Sequence, residues 1–520
     1  MSHRTRREFL GNVGRGMLVA SVGYNLAVDM GLAPAWAADA KATEGQDLDQ
    51  LSFGELEPLV TLLQETPPAT ILPILVEKIQ SGLELKTLIS AGALANARGL
   101  GGQNYVGYHT MMAMGPAYMM SQELPQERAA LPVLKVLYRN AGLMSGRAKE
   151  VLHPVKPAEL SKEQTAAVLR ESVQKGDVKQ AEQALAAAVA RSPADAYNDL
   201  LETVEDGADV HRVVLAHRAW DMLNLTGPQY AETMLRQSVR YCVDQRTWTN
   251  RVGNLSTLLP KLFDQYKLAG RSAGTREGDD AWVEHLSKTI FTSNREQAAE
   301  AVAAALGEGF SHKCIAEAVS LAANQLLLRD IGRTEKSKRA DAPLGAVHGD
   351  SIGVHACDSA NAWRHIALVS NPRNSMAALI VSGLQVAFDR IERGGDFLQW
   401  EPRPTTEQIE KVAQSNPTSL LAELDNAIRE QNQELSCALV HRYGQLDAAP
   451  RPIFDLLIKY ACSEEGSLHA EKFYRTATDE FANTRPAFRW RQIVGLARVT
   501  ASEYGRTAAG YEQACKLLKL

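Results

Sequence analysis

The chain has 520 residues, 45% hydrophobic and 22% charged, with a formal net charge of −5, a globular composition with ample apolar material for a large core. With no basic tract and no arginine-rich arm carrying interleaved aromatics, it excludes electrostatic nucleic-acid binding. The six cysteines form neither C-x-x-C nor C-x-x-C-H, which removes zinc ribbons, thioredoxin chemistry and c-type haem attachment.

The first residues read as an address. Thr5-Arg6-Arg7-Glu8-Phe9-Leu10 matches the twin-arginine export pattern, and Ala35-Trp36-Ala37 is an A-x-A cleavage site. The apolar stretch between them is broken by Asn25 and Asp29, so it is a poor permanent membrane span. Residues 1–37 are therefore expected to be a signal peptide, read by the twin-arginine translocase of a bacterium and leading to a periplasmic or exported location. That route carries folded proteins, often with a cofactor already loaded. Residues 38–50 are a polar linker.

From Leu51 onward the apolar residues recur with helical periodicity, and alternating strand-like runs are absent. Residues 51–520 are expected to be a single all-α repeat domain. The repeat shows in four stretches: GYHTMMAMGPAYMMSQELP from Gly107, DVHRVVLAHRAWDMLNLTGP from Asp209, GVHACDSANAWRHIALVSNP from Gly353 and SLHAEKFYRTATDEFANTRP from Ser467. Each carries a histidine followed 16 or 17 residues later by a proline, at Pro125, Pro228, Pro372 and Pro486. The prolines suit the first turn of a following helix, where a missing N–H costs nothing. Upstream of each histidine lie one or two further helical segments, such as Asp177 to Arg191 or Asn432 to Gln445. The units span approximately residues 51–145, 160–245, 285–392 and 405–505. An array of this kind buries one continuous core, and curling into a ring would point His109, His211, His355 and His469 inward.

Unit three carries an insertion, Arg329 to Pro343, rich in basic residues and punctuated by Gly and Pro. It is either a solvated loop or a lid over a site. Every cysteine lies in an apolar helical pattern, so buried free thiols are expected rather than disulfides.

The recurring histidines have two explanations. They cap or pack a helix junction four times over, or they converge on a site, where neutral imidazole serves as a metal ligand or as a general base. Asp358 and His365 share a helix face with His355. His217 stands about 240° round the helix from His211, so the two cannot face one ligand. Tyr118, Trp220 and Trp363 follow their histidines by eight or nine residues and either pack in the core or wall a slot for a flat substrate ring. No dinucleotide loop, Walker loop, G-x-S-x-G elbow or E-x-x-H bundle pattern is present.

The segments GYHTMMAMGPAYMM, GVHACDSANAWRHI with the upstream GAVHGDSI, and SLHAEKFYRTATDEFANTRPAF resemble the questin oxidase-like family. That resemblance implies a helical oxidoreductase performing ring-opening, Baeyer–Villiger-type oxygenation of an aromatic or quinone-type small molecule, with NADPH as electron donor. It also implies that His109, His355, His469 and the His-x-x-Lys residue Lys472 lie in or beside the site. Three readings stay open from sequence. In the first, His355 or His109 is the general base of an oxygenase and a second histidine steadies the oxyanion. In the second, the four repeat histidines, with Asp358, bind Cu, Fe or Zn. In the third, the array is a non-catalytic scaffold with a partner on its concave face.

Overall fold

The computed structural model describes residues 51–146, 151–253, 255–340 and 342–520. The export signal and the linker expected over residues 1–50 lie outside them. Among the described residues the chain is helical throughout, with isolated β-bridges and no strand, and no helix is long and apolar enough to cross a membrane.

Four helices form the centre: α1 (Tyr105–Glu123), α2 (Val210–Asp221), α3 (Ile352–Val369) and α4 (His469–Asn483). They are the four repeat segments. α1 packs on α2, α2 on α3, α3 on α4, and α4 returns to α1, so the inner helices close into a ring. Each is buried on nearly all sides; in α1 the run Gly107–Ala117 has no exposed residue. Such a helix needs apolar or small residues around its whole circumference, and TMMAMGPA supplies them.

Each inner helix is wrapped by a helix before it and a helix after it. These are Leu85–Leu100 and Leu131–Met144 around α1, Pro193–Val204 and Ala231–Asp244 around α2, His312–Arg329 and Pro372–Arg393 around α3, and Arg451–Ser463 and Trp490–Glu503 around α4. The expected helices upstream of the histidines are present. The first and last units are joined by buried polar contacts: Lys135 Nζ donates to the carbonyls of Ala461 and Glu464 at 3.0 and 2.7 Å and pairs with Glu471 at 2.6 Å. The C-terminal helix, Ala509–Leu518, packs on Leu131–Met144 and on Pro68–Gln80, so the chain's end covers its own first unit.

Side-chain caps fix where three inner helices begin. Asn104 accepts from Gly107 N at 3.0 Å, Asp209 from Arg212 N at 3.0 Å, and Ser351 from Val354 N at 3.4 Å. The fourth start is different: a short 3-10 turn, Gly466–Leu468, ends with Leu468 at φ 64°, and His469 follows as the first helical residue. The proline expectation holds in part. Pro372 opens its α-helix and Pro228 opens a 3-10 turn, but Pro125 and Pro486 lie in turns that precede the next helices at Leu131 and Trp490. In those two units the connection needs several more residues to swing the chain back along the ring. Five of the cysteines are buried free thiols, and the sixth, Cys515, is partly buried.

Candidate functional site: four histidines at one end of the inner ring

Since all four histidines sit in the first turns of helices that run side by side, the parallel packing gathers them into one layer. Ring centroids lie 4.8 Å apart for His109 and His211, 5.4 Å for His211 and His355, 5.6 Å for His355 and His469, and 5.0 Å for His469 and His109. The four imidazoles close a circuit in the same order as their helices.

Their nitrogens are organised unequally. His109 Nδ1 lies 2.7 Å from the Tyr105 carbonyl, His469 Nδ1 3.3 Å from the Gly466 carbonyl, and His211 Nδ1 3.7 Å from Asp209 Oδ1. A carbonyl can only accept, so Nδ1 of His109 and His469 carries the proton and Nε2 is left with a lone pair. The Nε2 atoms of His109, His211, His355 and His469 are all buried, and none has a hydrogen-bond partner. An unpartnered buried polar atom costs about 1–3 kcal/mol, and here it recurs four times in one layer.

Electrostatics keep three of the imidazoles neutral. Burial, then the charges of His211 and Lys472, hold His355 down to about 3. Burial and the Lys472 ammonium place His109 and His469 well below the ordinary histidine value. Lys472, itself pushed down to about 8 by burial, stands one turn below His469 with Asp358 as its main opposing charge. Burial would raise the Asp209 carboxyl, yet His211 and the Tyr241 hydroxyl, which donates to it at 2.6 Å, bring it down to about 2.

Two tyrosines cover the solvent side. The Tyr105 ring, 55% exposed, lies 4.3 Å from His109 at a tilt of 37°, and the buried Tyr108 lies 5.0 Å from His109 and 5.4 Å from His211. The unit-three insertion reaches toward this mouth. Its Arg333 and Arg339 both bind Asp350, at 2.5 and 2.9 Å, and Asp350 and Arg339 are within electrostatic reach of Tyr105. The insertion is thus a largely exposed loop anchored near Tyr105.

The other residues singled out from sequence divide into two groups. Asp358 and His365 do face the interior: Asp358 accepts from Thr476 at 2.7 Å, and His365 Nε2 lies 2.6 Å from Asp479. Neither reaches the imidazole layer. His217, placed off the His211 face by its spacing, stacks on His365 at 4.9 Å near the far end of the ring. The aromatics Tyr118, Trp220 and Trp363 do not wall a slot. Trp363 is fully buried and donates to Gln385 of an outer helix at 2.8 Å, Trp220 stacks on Tyr197 at 4.5 Å, and Tyr118 packs against the core. Eight or nine residues after an inward histidine, a helix presents a different face. The site's aromatics are instead Tyr105, Tyr108 and Tyr241. Asp209 and Gly349 also went unassigned, although Asp209 is readable as an N-cap two residues before His211.

Four imidazoles sharing one metal at an M–N distance of about 2.0–2.1 Å would have neighbouring centroids about 4.5 Å apart in a square array, and the neighbouring spacings here, 4.8 to 5.6 Å, are wider. As the side chains lie, no group of three or more His, Cys, Asp or Glu among the described residues is drawn together tightly enough to hold an ion. The rings are tilted by 37° to 74° to their neighbours, and closing on an ion requires them to rotate. In chemical kind the donors are those of a metal centre: buried imidazole Nε2 atoms, with Nδ1 of His109 and His469 on a carbonyl and that of His211 beside a carboxylate, the usual outer partners of ligating histidines. No protein-family model matches the chain, and no curated protein or solved structure matches it either.

Proposed function

We propose that His109, His211, His355 and His469 hold a single transition-metal ion, and that the protein is an exported oxidoreductase acting at that centre on a small aromatic molecule. The observation that carries this is the set of four buried, unpartnered Nε2 atoms in one layer. A general base must accept a proton near the working pH, and His109, His355 and His469, all held well below the ordinary histidine value by burial, are weak at that task. The same depression leaves the lone pairs free for a cation, so ligation uses what the burial has produced.

A redox-active ion such as iron or copper would supply electron transfer between the aromatic substrate and an oxidant. The chain's own residues do the rest. Asp209 and the carbonyls of Tyr105 and Gly466 orient the imidazoles, Tyr105 and Tyr108 offer flat faces on which an aromatic ring can stack, and Lys472 places a donor below the layer. The likeness of the histidine segments to questin oxidase-like proteins supports an aromatic substrate, and export in folded form accords with a centre loaded before translocation.

Elemental analysis of protein purified without a histidine tag tests the reading. About one equivalent of iron or copper per chain, retained after dialysis and lost in both His109→Ala and His355→Ala, is expected. Less than about a tenth of an equivalent, even after anaerobic reconstitution with ferrous or cuprous salt, would overturn it.

A further inference from the structure

The outer helix Ala231–Asp244, which packs on α2, sets Tyr241 beside the imidazole layer. The residue is 4% exposed, and its ring lies 6.5 Å from His211 and 5.1 Å, edge-on, from Tyr108. Its hydroxyl donates to Asp209 Oδ2 at 2.6 Å, the oxygen that also takes the Arg212 amide. The other oxygen of the same carboxylate, Oδ1, faces His211 Nδ1 at 3.7 Å. Tyr108 lies in turn 5.4 Å from His211 and 5.5 Å from the exposed Tyr105. Three phenol rings therefore run from solvent to the inside of the protein along the layer. Among the described residues, Tyr241 is the one of these three whose hydroxyl is bonded to a carboxylate.

Packing alone does not call for a hydroxyl here, since phenylalanine would fill the same volume and bury one polar group fewer. The chemistry of phenol gives the hydroxyl and its partner a use. A phenol that loses an electron becomes a strong acid, and a buried ring is a costly place for the positive charge. Such a ring is oxidised readily where a fixed acceptor takes the proton in the same step. Asp209 is an acceptor of that kind, held in place as the cap of α2. We propose that Tyr241 is a redox-active tyrosine, storing one oxidising equivalent beside the tetra-histidine layer as a neutral phenoxyl radical with its proton on Asp209. The proposal rests on the layer holding a redox ion, whose oxidised form is the oxidant for this step. The Tyr241 O–H bond breaks, the electron passes by way of His211 to the oxidised ion, and the proton forms an O–H bond on Asp209 Oδ2. An electron from an aromatic substrate stacked at the mouth, arriving through Tyr108, then returns with that proton and restores the phenol. Burial keeps the stored equivalent away from solvent, which the exposed Tyr105 does not offer.

The test supplies its own oxidant and needs neither metal nor substrate. Metal-free protein is oxidised by a light flash with tris(bipyridine)ruthenium(III), generated in the presence of persulfate, and then frozen. Electron paramagnetic resonance reads the tyrosyl radical and its decay. A long-lived radical is expected in the wild type. Tyr241→Phe should cut its yield, and Asp209→Asn its lifetime, by about tenfold or more. Tyr460→Phe is the control: its phenol makes the same 2.6 Å bond to a carboxylate, Asp425, between two outer helices, and the variant should behave like the wild type. An undiminished radical in Tyr241→Phe, or one lost only in Tyr460→Phe, overturns the proposal. Should Tyr241→Phe fail to fold, Asp209→Asn decides, and a wild-type lifetime there overturns it. Metal content of the same proteins is read separately. The Tyr241 radical in a chain that binds no metal keeps the tyrosine and removes the ion as its oxidant, whereas full metal binding without that radical does the reverse.

Discussion

Gly349 lies so close against His469 that a Cβ added to it would stand 2.0 Å from the histidine's own Cβ. Its amide donates to Glu503 Oε1 at 2.8 Å, which fixes the loop before α3 against the helix after α4. The contact makes this glycine part of the imidazole layer's geometry, because His469 cannot move aside without leaving its place between His355 and His109. Gly349→Ala is therefore expected to cost about 1–3 kcal/mol of stability and to weaken metal binding at least about tenfold. Chemical denaturation and chelator competition read the two effects. Unchanged metal affinity would show that His469 has more room than the contact allows.

Asp209 does three jobs, capping α2 through Arg212 N, accepting from the Tyr241 hydroxyl and standing beside His211 Nδ1. Asn at the same position keeps the capping oxygen and removes the charge. Asp209→Asn should leave the thermal midpoint within a few degrees while lowering metal affinity by about 10- to 100-fold, the usual effect of losing an outer carboxylate partner. Equal affinity would mean that Asp209 serves the cap and Tyr241 alone.

Trp363→Phe makes the opposite prediction. The indole N–H binds Gln385 Oε1 on an outer helix and does not reach the imidazoles, so the variant should lose about 1–3 kcal/mol through the stranded glutamine and bind metal like the wild type. Loss of metal with no loss of stability would put this tryptophan in the site after all.

The fold was legible because helical periodicity and four copies of one spacing are local signals. The copied histidine then located the layer, since equivalent positions in a closed ring must meet. The surroundings of the imidazole layer were harder to read. Whether Tyr105 or Tyr118 covers the site depends on which side of α1 faces the solvent mouth, and spacing from the histidine does not carry that information. Asp358 and His365 were correctly placed on the His355 face, yet their partners Thr476 and Asp479 come from a helix more than a hundred residues away. Gly349 is invisible from sequence for a related reason: only the approach of α4 makes its missing side chain matter.

Lys135 and Glu471 form an ion pair at 2.6 Å with almost no exposure, at the junction of the first and last units. Lys135→Met leaves a buried carboxylate without its cation, which costs about 3–5 kcal/mol, whereas Lys135→Met with Glu471→Leu removes both charges and should recover part of that loss, the Ala461 and Glu464 carbonyls still lacking their donor. Urea unfolding of the two variants decides it. A double variant as unstable as the single one would show that the hydrogen bonds from Lys135 to the Ala461 and Glu464 carbonyls, and not the stranded Glu471 charge, account for the loss.

Acid stability offers a reading of the imidazole layer that is independent of metal. His355 is held at about 3 in the folded chain, against 6.5 for an ordinary histidine, and burial holds His109 and His469 well below that ordinary value too. Between these values the unfolded chain binds protons that the folded chain refuses, so stability is full above about pH 6.5 and falls as pH drops toward 3. Burial acts in the other direction on Glu205 and Glu503, both raised to about 7. The folded chain takes up protons on these two between about 4.5 and 7, which offsets part of the histidine effect in that window. A difference between variants isolates the layer from these carboxyls. His355→Gln should lose less stability than the wild type on acidification from about pH 6.5 to 3, with metal-free protein used for both, and urea midpoints across that range measure the slopes. Parallel slopes would mean that His355 takes up its proton in the folded state as readily as in the unfolded one, and that its burial does not keep the lone pair free.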